Sequence, residues 1–394
     1  MASPAITQSE SLLTAERSSV TAMPWFVWTS ILAVTCAVIG LHWDISWHRS
    51  VGRDTFWTPA HLAIQFCGVL AGLSCGYMIL ATTFRKDEDA RDASVRVLGF
   101  RGPLGAFVAA WGGLAMVFSA PFDNWWHDAY GLDVKIVSPP HTILALGIFG
   151  VAFGSLLLIL AAMNRAEGTQ RVRTEWAFLY VSGMIFTLMQ IFIMEYLYLV
   201  AKHTSEPYIV LAIASPVLLA GTYFALDRPF ACTITAAVYT AVVLGLTAIL
   251  PLFAAEPKLG PVYQAITYFV PPPFPPMVIV PALAMDLLFM RTRDKNRWVL
   301  AVIAGVVFVV FMVLADWNMA RFILQSKLGQ ARFFHLGYVD YGTPLLPNSY
   351  YARHEFWPQP LKGLVLGLFE AVVIAVLSTR LGIARGDWTK KVRR

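Results

Sequence analysis

The chain has 394 residues, 57% hydrophobic and 14% charged, with a formal net charge of +6. That is too apolar for a soluble globule and reads as a polytopic membrane protein. The basic residues are confined to short loops between apolar runs, which excludes a nucleic-acid partner and makes the lipid bilayer the first partner.

Ten spans are predicted, at about 25–43, 59–84, 102–121, 141–163, 175–200, 208–226, 231–253, 266–290, 297–318 and 361–381. Each is long enough, at 1.5 Å rise per residue, to cross a hydrocarbon core of roughly 30 Å. The expected fold class is an all-α, polytopic transmembrane helical bundle of about ten helices. Residues 1–22 are polar and lack the charged start and cleavage site of a signal peptide, so they read as a cytoplasmic tail and the first span as retained. Lys and Arg crowd the loops at 85–101, 165–173 and 291–297 and the tail at 385–394. With ten spans these share one face, which takes 20 of the 30 basic residues. The positive-inside rule then puts both termini in the cytoplasm and the loops of the opposite face outside.

Span 1 is aromatic at its entry (Trp25, Phe26, Trp28) and runs into His42, Trp43 and Asp44. Pro59 starts span 2, where Gly68, Gly72 and Gly76 lie four apart and suit close helix packing. Span 3 is expected to end at Pro121, and Pro139-Pro140 open span 4. Residues 23–165 are thus two copies of a span, a polar outer loop and a returning span, with matching residues 79 positions apart. From 166 onward the pattern stops. The stretch 254–277 is rich in proline and glycine, so span 8 is expected to begin late within it. The sizeable loop 322–360, aromatic and proline-rich, reads as an ordered outer cap. Cys36, Cys67, Cys75 and Cys232 all fall within spans, as buried small hydrophobes and not a disulfide framework.

The chemistry is concentrated in the two duplicated loops, which hold four of the eight histidines, with His42 just ahead of the first. Asp44 and His48 are four apart, so a helix running past the membrane surface projects both from one face. His61, on the first turn of the returning span, closes on them across a short loop. Asp123, His127 and His141 repeat the arrangement. Two imidazoles and one carboxylate suit Cu(II), Zn(II) or Fe(II), and ionisable groups at membrane depth are costly and usually functional. Asp54 and Asp133 follow as groups that orient a ligating imidazole. The alternative is that these residues are interfacial polar groups capping helix ends.

The stretch Asp44, Trp47-His48, Arg53-Asp54-Thr55, Thr58-Pro59 and His61 closely resembles the metal-binding stretch of the C subunit of copper membrane monooxygenases, the particulate methane and ammonia monooxygenases. In that family an Asp-x3-His-x12-His triad forms one metal site and an Asn-x3-His-x13-His set a second. Both spacings are present here, with Asp123 standing where the family has Asn. More weakly, Thr267-Tyr268-Phe269-Val270, the run Phe274 to Pro281, Asp286 and the run Gly337 to Pro344 look like the A subunit. The resemblance implies a C-like segment, 23–165, joined to an A-like segment, 166–394. It implies copper as cofactor, with zinc or iron as alternatives, and oxidation of a small apolar substrate or ammonia by O2 with an external reductant. It further implies a bacterial inner-membrane location with the metal loops periplasmic, a cupredoxin-like B-type partner subunit, and an oligomer, a trimer in the family. Two other readings are a non-catalytic metal-binding scaffold or accessory subunit and, less favoured, a metal transporter, since no ligand ladder crosses the membrane.

Glu195, in span 5 near Tyr196, Tyr198 and His203, is a candidate proton or metal relay. Asp286, Asp316, His335, Asp340 and His354 read as structural or interfacial. No Ser/His/Asp nucleophile, phosphate-binding glycine loop or haem-attachment motif is present in the sequence.

Overall fold

The computed structural model describes residues 23–52, 57–85, 91–131, 138–292, 294–329, 332–335, 340–348 and 355–393. Helices dominate these residues. They are α1 (Trp25–Ser50), α2 (Pro59–Phe84), α3 (Leu104–Tyr130), α4 (Pro139–Met163), α5 (Gly168–Ile193), α6 (Glu206–Leu226), α7 (Ala231–Ile249), α8 (Ile279–Thr292), α9 (Arg297–Gln325) and α10 (Leu361–Thr389). The described sheet is one small hairpin, β1 (Val95–Val97) and β2 (Phe100–Gly102), turning through Leu98 and Gly99 at positive φ. The fold is an all-α helical bundle. Nine of the described helices are long and apolar enough to cross a membrane, as expected of an integral membrane protein.

Besides a single turn at Arg332–His335, the one helix among these ten that falls short, α8, corrects the sequence reading. A span over 266–290 was expected, but α8 begins only at Ile279 and has 14 residues. At 1.5 Å per residue it is about 21 Å long, short of a bilayer core. The residues before it run extended, because prolines 271–273, 275 and 276 cannot donate to a helical ladder. Pro121 is a second correction. It lies inside α3, which continues to Tyr130 and carries Asp123 and His127 on its last turns.

The described chain divides into two compact units. One comprises the residues up to Val34, Cys67–Val181 and those from Lys391 on; the other comprises Thr35–Phe66 and Ser182–Lys390. This division does not follow the one drawn at 165/166. Residues 35–66 pack with the later part of the chain, although their sequence pattern repeats in the earlier part.

In the first unit, α3 and α4 make the closest helix pair. A Cβ at Gly112 would sit 2.5 Å from the Val151 amide nitrogen, and one at Gly105 would sit 2.5 Å from the Gly154 carbonyl oxygen. Only glycine allows backbones this near, and in lipid such packing, not hydrophobic contrast, drives association. The small-residue face of α2 is used in part. A Cβ at Gly113 of α3 would meet the Gly68 oxygen at 2.5 Å and the Gly72 nitrogen at 3.0 Å, whereas nothing approaches Gly76 within 4 Å.

In the second unit the interruptions of helical bonding are repaired by side chains. Pro216 lies inside α6. Next to it the Ser378 hydroxyl of α10 accepts from the Val217 N–H at 3.0 Å and donates to the Ile213 carbonyl at 3.0 Å, standing between two groups that a regular helix would pair directly. Asp286 of α8 caps α7, accepting from the Cys232 and Thr233 amides and the Thr233 hydroxyl. The extended stretch before α8 is fixed at both ends. Ser46 Oγ of α1 donates to the Val270 carbonyl at 2.6 Å, and the Val270 N–H donates to Ser50 Oγ at 2.7 Å. At the far end Asp316 of α9 accepts from the Met277 N–H and, with its other oxygen, from Lys202 Nζ, each at 2.7 Å. Lys202 and Asp316 are both only 3% exposed.

The glycine contacts separate two substitutions that look alike in sequence. Gly112→Leu drives a side chain into α4 backbone and should lower the thermal unfolding midpoint in detergent or abolish folded yield. Gly76→Ala meets nothing and should be neutral or stabilising by about 0.5–1 kcal/mol. A Gly112→Leu variant as stable as the parent would refute the close α3–α4 approach.

Candidate metal centre

The first set is assembled by two helix ends of the second unit. α1 continues to Ser50, two turns past the predicted end of the span, and so carries Asp44 and His48 on one face. α2 starts at Pro59, with the Thr58 hydroxyl accepting the His61 N–H at 3.2 Å, so His61 leaves from its first turn. Gly40 sets the separation of the two helices. A Cβ there would lie 2.8 Å from Ile64 Cγ1 and 2.9 Å from the Ile64 amide nitrogen.

As a result His61 Nε2 lies 3.0 Å from Asp44 Oδ1 and His48 Nε2 lies 3.7 Å from it. The two rings are 6.2 Å apart at 48°. One ligand atom from each residue lies within 4.8 Å of the other two, the only such His/Cys/Asp/Glu group found among the described residues. Around an ion with bonds of about 2.1 Å, tetrahedral ligand atoms stand roughly 3.4 Å apart, so small side-chain rotations suffice to bind one. The donor set fits a metal on a further ground. Asp44 Oδ1 is buried yet accepts no hydrogen bond, although two imidazoles face it. A buried carboxylate oxygen in that position is costly unless a cation or donor meets it.

The second set belongs to the first unit and repeats the construction. Asp123 and His127 project from the end of α3, and His141 from the third residue of α4 after Pro139-Pro140. His127 Nε2 lies 3.2 Å and His141 Nε2 3.6 Å from Asp123 Oδ1. The rings are 6.4 Å apart at 61°. Both are oriented through their other nitrogen. His127 Nδ1 is 2.9 Å from the Gly131 carbonyl, which only accepts, so Nδ1 carries a proton and Nε2 is the nitrogen turned to Asp123. His141 Nδ1 is 3.0 Å from Ser138 Oγ. Such contacts hold a ligating ring in its tautomer and direction. Sequence reading assigned that orienting role to Asp54 and Asp133. Both lie outside the described residues, as does His354.

The groups around the end of α1 were less legible. The Tyr341 N–H donates to the Arg49 carbonyl at 3.2 Å, and the Lys258 N–H donates to the Val51 carbonyl at 2.9 Å. Two chain segments more than 200 residues away in sequence therefore close over the helix end that bears His48. The Thr343 hydroxyl donates to Asp340 at 2.7 Å and fixes the turn that carries Tyr341. Glu195 was expected inside span 5. α5 ends at Ile193, and Glu195 is exposed on the single 3-10 turn that follows. The Tyr198 phenol is pushed above its usual range by burial first and by the Glu195 charge second. His203 stacks between Trp317 and Phe356, and this burial pulls its imidazole below its usual value. Lys202, which the sequence reading passed over, is the buried partner of Asp316.

Each set has its own carboxylate and two imidazoles, so each should load by itself. On protein purified without chelator, His48→Ala and His127→Ala should each lower bound metal by close to one equivalent, and the double variant should lose both, as measured by elemental analysis. Release of all metal by either folded single variant would replace the independent sets with one shared centre. Comparison with protein-family models, with curated proteins and with solved structures returns no match, so the chemistry of the centre rests on these residues and their geometry.

Proposed function

We propose that the chain is a membrane-bound, copper-dependent monooxygenase, or the metal-carrying subunit of one, that oxidises a small apolar substrate or ammonia. The observation that carries this reading is the Asp/His/His set built twice at helix ends, with three protein ligands each. Three ligands leave coordination positions open for small molecules, whereas structural zinc sites are closed by four. Two imidazoles and a carboxylate suit copper, iron or zinc, and it is the resemblance to copper membrane monooxygenases that favours copper among them.

Copper held there supplies one-electron redox chemistry and affinity for O2. The chain's own residues do the rest. His48, His61 and Asp44 hold the ion at the end of α1, with the Asp44 charge offsetting part of the ion's. Gly131 and Ser138 keep the imidazoles of the second set aligned. In the overall reaction one oxygen atom of O2 enters the substrate and the other leaves as water, with two electrons and two protons from an external donor. The apolar helix faces give a poorly soluble substrate a route from the bilayer. The 20-to-10 split of basic residues supports cytoplasmic termini and periplasmic metal loops in a bacterial inner membrane. That topology requires the extended stretch and α8 together to complete a tenth crossing.

A second reading draws on the exposure of His48 and His141, whose side chains are 44% and 37% exposed. Ligands this open suit a site that a partner completes, so the chain could be a scaffold that a cupredoxin-like subunit covers within an oligomer.

Membranes carrying the chain alone, loaded with copper and supplied with a quinol reductant, should take up O2 only when ammonia or a short alkane is added. His61→Ala should lower that uptake at least about a hundredfold, as the loss of a chelating ligand does. A protein that binds only zinc, silent in paramagnetic resonance and without substrate-dependent uptake, would overturn the enzyme reading. Uptake that appears only with a co-purifying cupredoxin-like protein would support the subunit form.

A further inference from the structure

The hairpin β1–β2 of the first unit carries two features that disfavour it as an isolated piece of structure. Its register sets Arg96 directly opposite Arg101. Side chains paired in this way share one face, with Cβ atoms about 4.5–5.5 Å apart, and like charges there repel. Among the described residues neither arginine side chain makes a hydrogen bond or an ion pair. The turn between the strands holds Leu98 and Gly99 at φ 50° and 90°. A two-residue turn of this hand suits the strand twist, but asparagine, aspartate or glycine normally fills its first position. A bulky residue there is an outlier. Leu98 is 83% exposed, so packing within the protein does not account for it, and Phe100 beside the turn is 43% exposed.

The seat of the hairpin shows what these groups face. Val95 and Val97 pack against the buried cluster of Cys75, Ile79 and Phe107. The Thr83 hydroxyl near the end of α2 accepts the Arg101 N–H at 2.8 Å. A Cβ at Gly102 would lie 3.0 Å from Ile79 Cγ1. The valine face therefore lies along the last turns of α2. Successive side chains alternate across a strand, so the arginine face looks away from these helices. The aromatic rings at the same helix ends give the depth. Trp25 and Tyr77 are about half exposed, with rings 5.9 Å apart. Exposed tryptophan and tyrosine mark the headgroup level of a bilayer. Thr83 is six residues beyond Tyr77, about 9 Å along the helix. The hairpin thus stands beside the lipid phosphates, and the Arg85 guanidinium reaches back from there to donate to the Tyr77 hydroxyl at 3.2 Å.

We propose that this hairpin is a binding site for the headgroup of an anionic phospholipid. Arg96 and Arg101 take one phosphate between them, which converts their repulsion into a shared attraction. Leu98 and Phe100 enter the boundary of the acyl chains. Guanidinium suits a phosphate because its planar fork donates two parallel bonds. Phosphatidylglycerol brings the net negative charge that the pair lacks, whereas phosphatidylcholine cancels its phosphate with its own ammonium. On the topology proposed above, this is the cytoplasmic leaflet, whose surface is negative. The site is independent of the metal reading, because no Asp/His/His ligand belongs to it.

The test uses the full chain in vesicles of phosphatidylcholine mixed with phosphatidylglycerol, with pure phosphatidylcholine as the control. A nitroxide on Leu98→Cys reports depth, and the labelled parent corrects for its own cysteines. In the mixed vesicles the label should be relaxed more by dissolved oxygen than by a water-soluble nickel chelate. That ratio should fall in pure phosphatidylcholine and in the Arg96→Gln/Arg101→Gln background. With Leu98 intact, native mass spectrometry should show the parent preferring phosphatidylglycerol to phosphatidylcholine. The double variant should lose about fivefold of that preference for each arginine. In lipid-free detergent it should be no less stable than the parent, since only repulsion is removed, which separates lipid binding from a fold defect. A label open to the chelate in both lipids overturns the proposal. So does a double variant that keeps the parent's depth and lipid preference.

Discussion

The carbonyl and amide groups of residues 267–278 must be satisfied without a helix, and much of the second unit follows from how that is done. Buried irregular backbone is tolerated only where other parts of the protein supply its hydrogen bonds. Five prolines lower the demand, since they bring no N–H to satisfy. Much of the rest is met from outside the segment, by Ser46 and Ser50 of α1 at Val270, by Asp316 of α9 at Met277, and by backbone bonds of Thr267 and Phe269 to Ala255 and Phe253. Asp316 is held in turn by Lys202. That buried pair is best understood as a fastening and not as a source of net stability, because desolvating both charges offsets most of their attraction. Removing one partner would leave the other buried and uncompensated.

This fastening reaches the candidate metal centre. Ser46 and Ser50 flank His48 on α1, so the bonds that fix Val270 also fix the helix end that presents Asp44 and His48. The same contacts explain why residues 35–66 group with 182–390 although their sequence pattern repeats in 123–141. The two Asp/His/His sets share a local design and differ in what supports them. The first leans on serines, an extended proline segment and the turn at Tyr341. The second leans on the glycine seam between α3 and α4, with Gly131 and Ser138 holding the rings. Their differing support means that the two sets are held by unlike parts of the chain.

The proline segment also shapes the space beside it. An extended strand beside helices cannot fill space as a helical side-chain layer does, and its wall of proline rings offers no donors. A small cavity lined by the prolines, His42 and Gln190 is what remains.

The sequence by itself determined what depends on neighbours along the chain. Apolar run length set nine of the ten expected crossings. The i, i+4 spacing of Asp44 with His48, and of Asp123 with His127, placed each pair on one helical face, and a proline two residues ahead of His61 and His141 placed each second histidine on a first helical turn. Tertiary structure alone decided what joins distant residues. Lys202 meets Asp316 across 114 positions, and Ser378 mends the helix at Pro216 from more than 160 positions away. No local pattern records those pairings. The failed prediction of a full helix over 266–290 has the same origin. Hydropathy measures how apolar a segment is, and these residues are apolar, but only the donors offered by α1 and α9 allow them to stay buried without helical bonds. The glycines of α3 and α4 were visible as composition. That Gly105 and Gly112, more than Gly72 or Gly76, make the closest approach was decided by which faces meet.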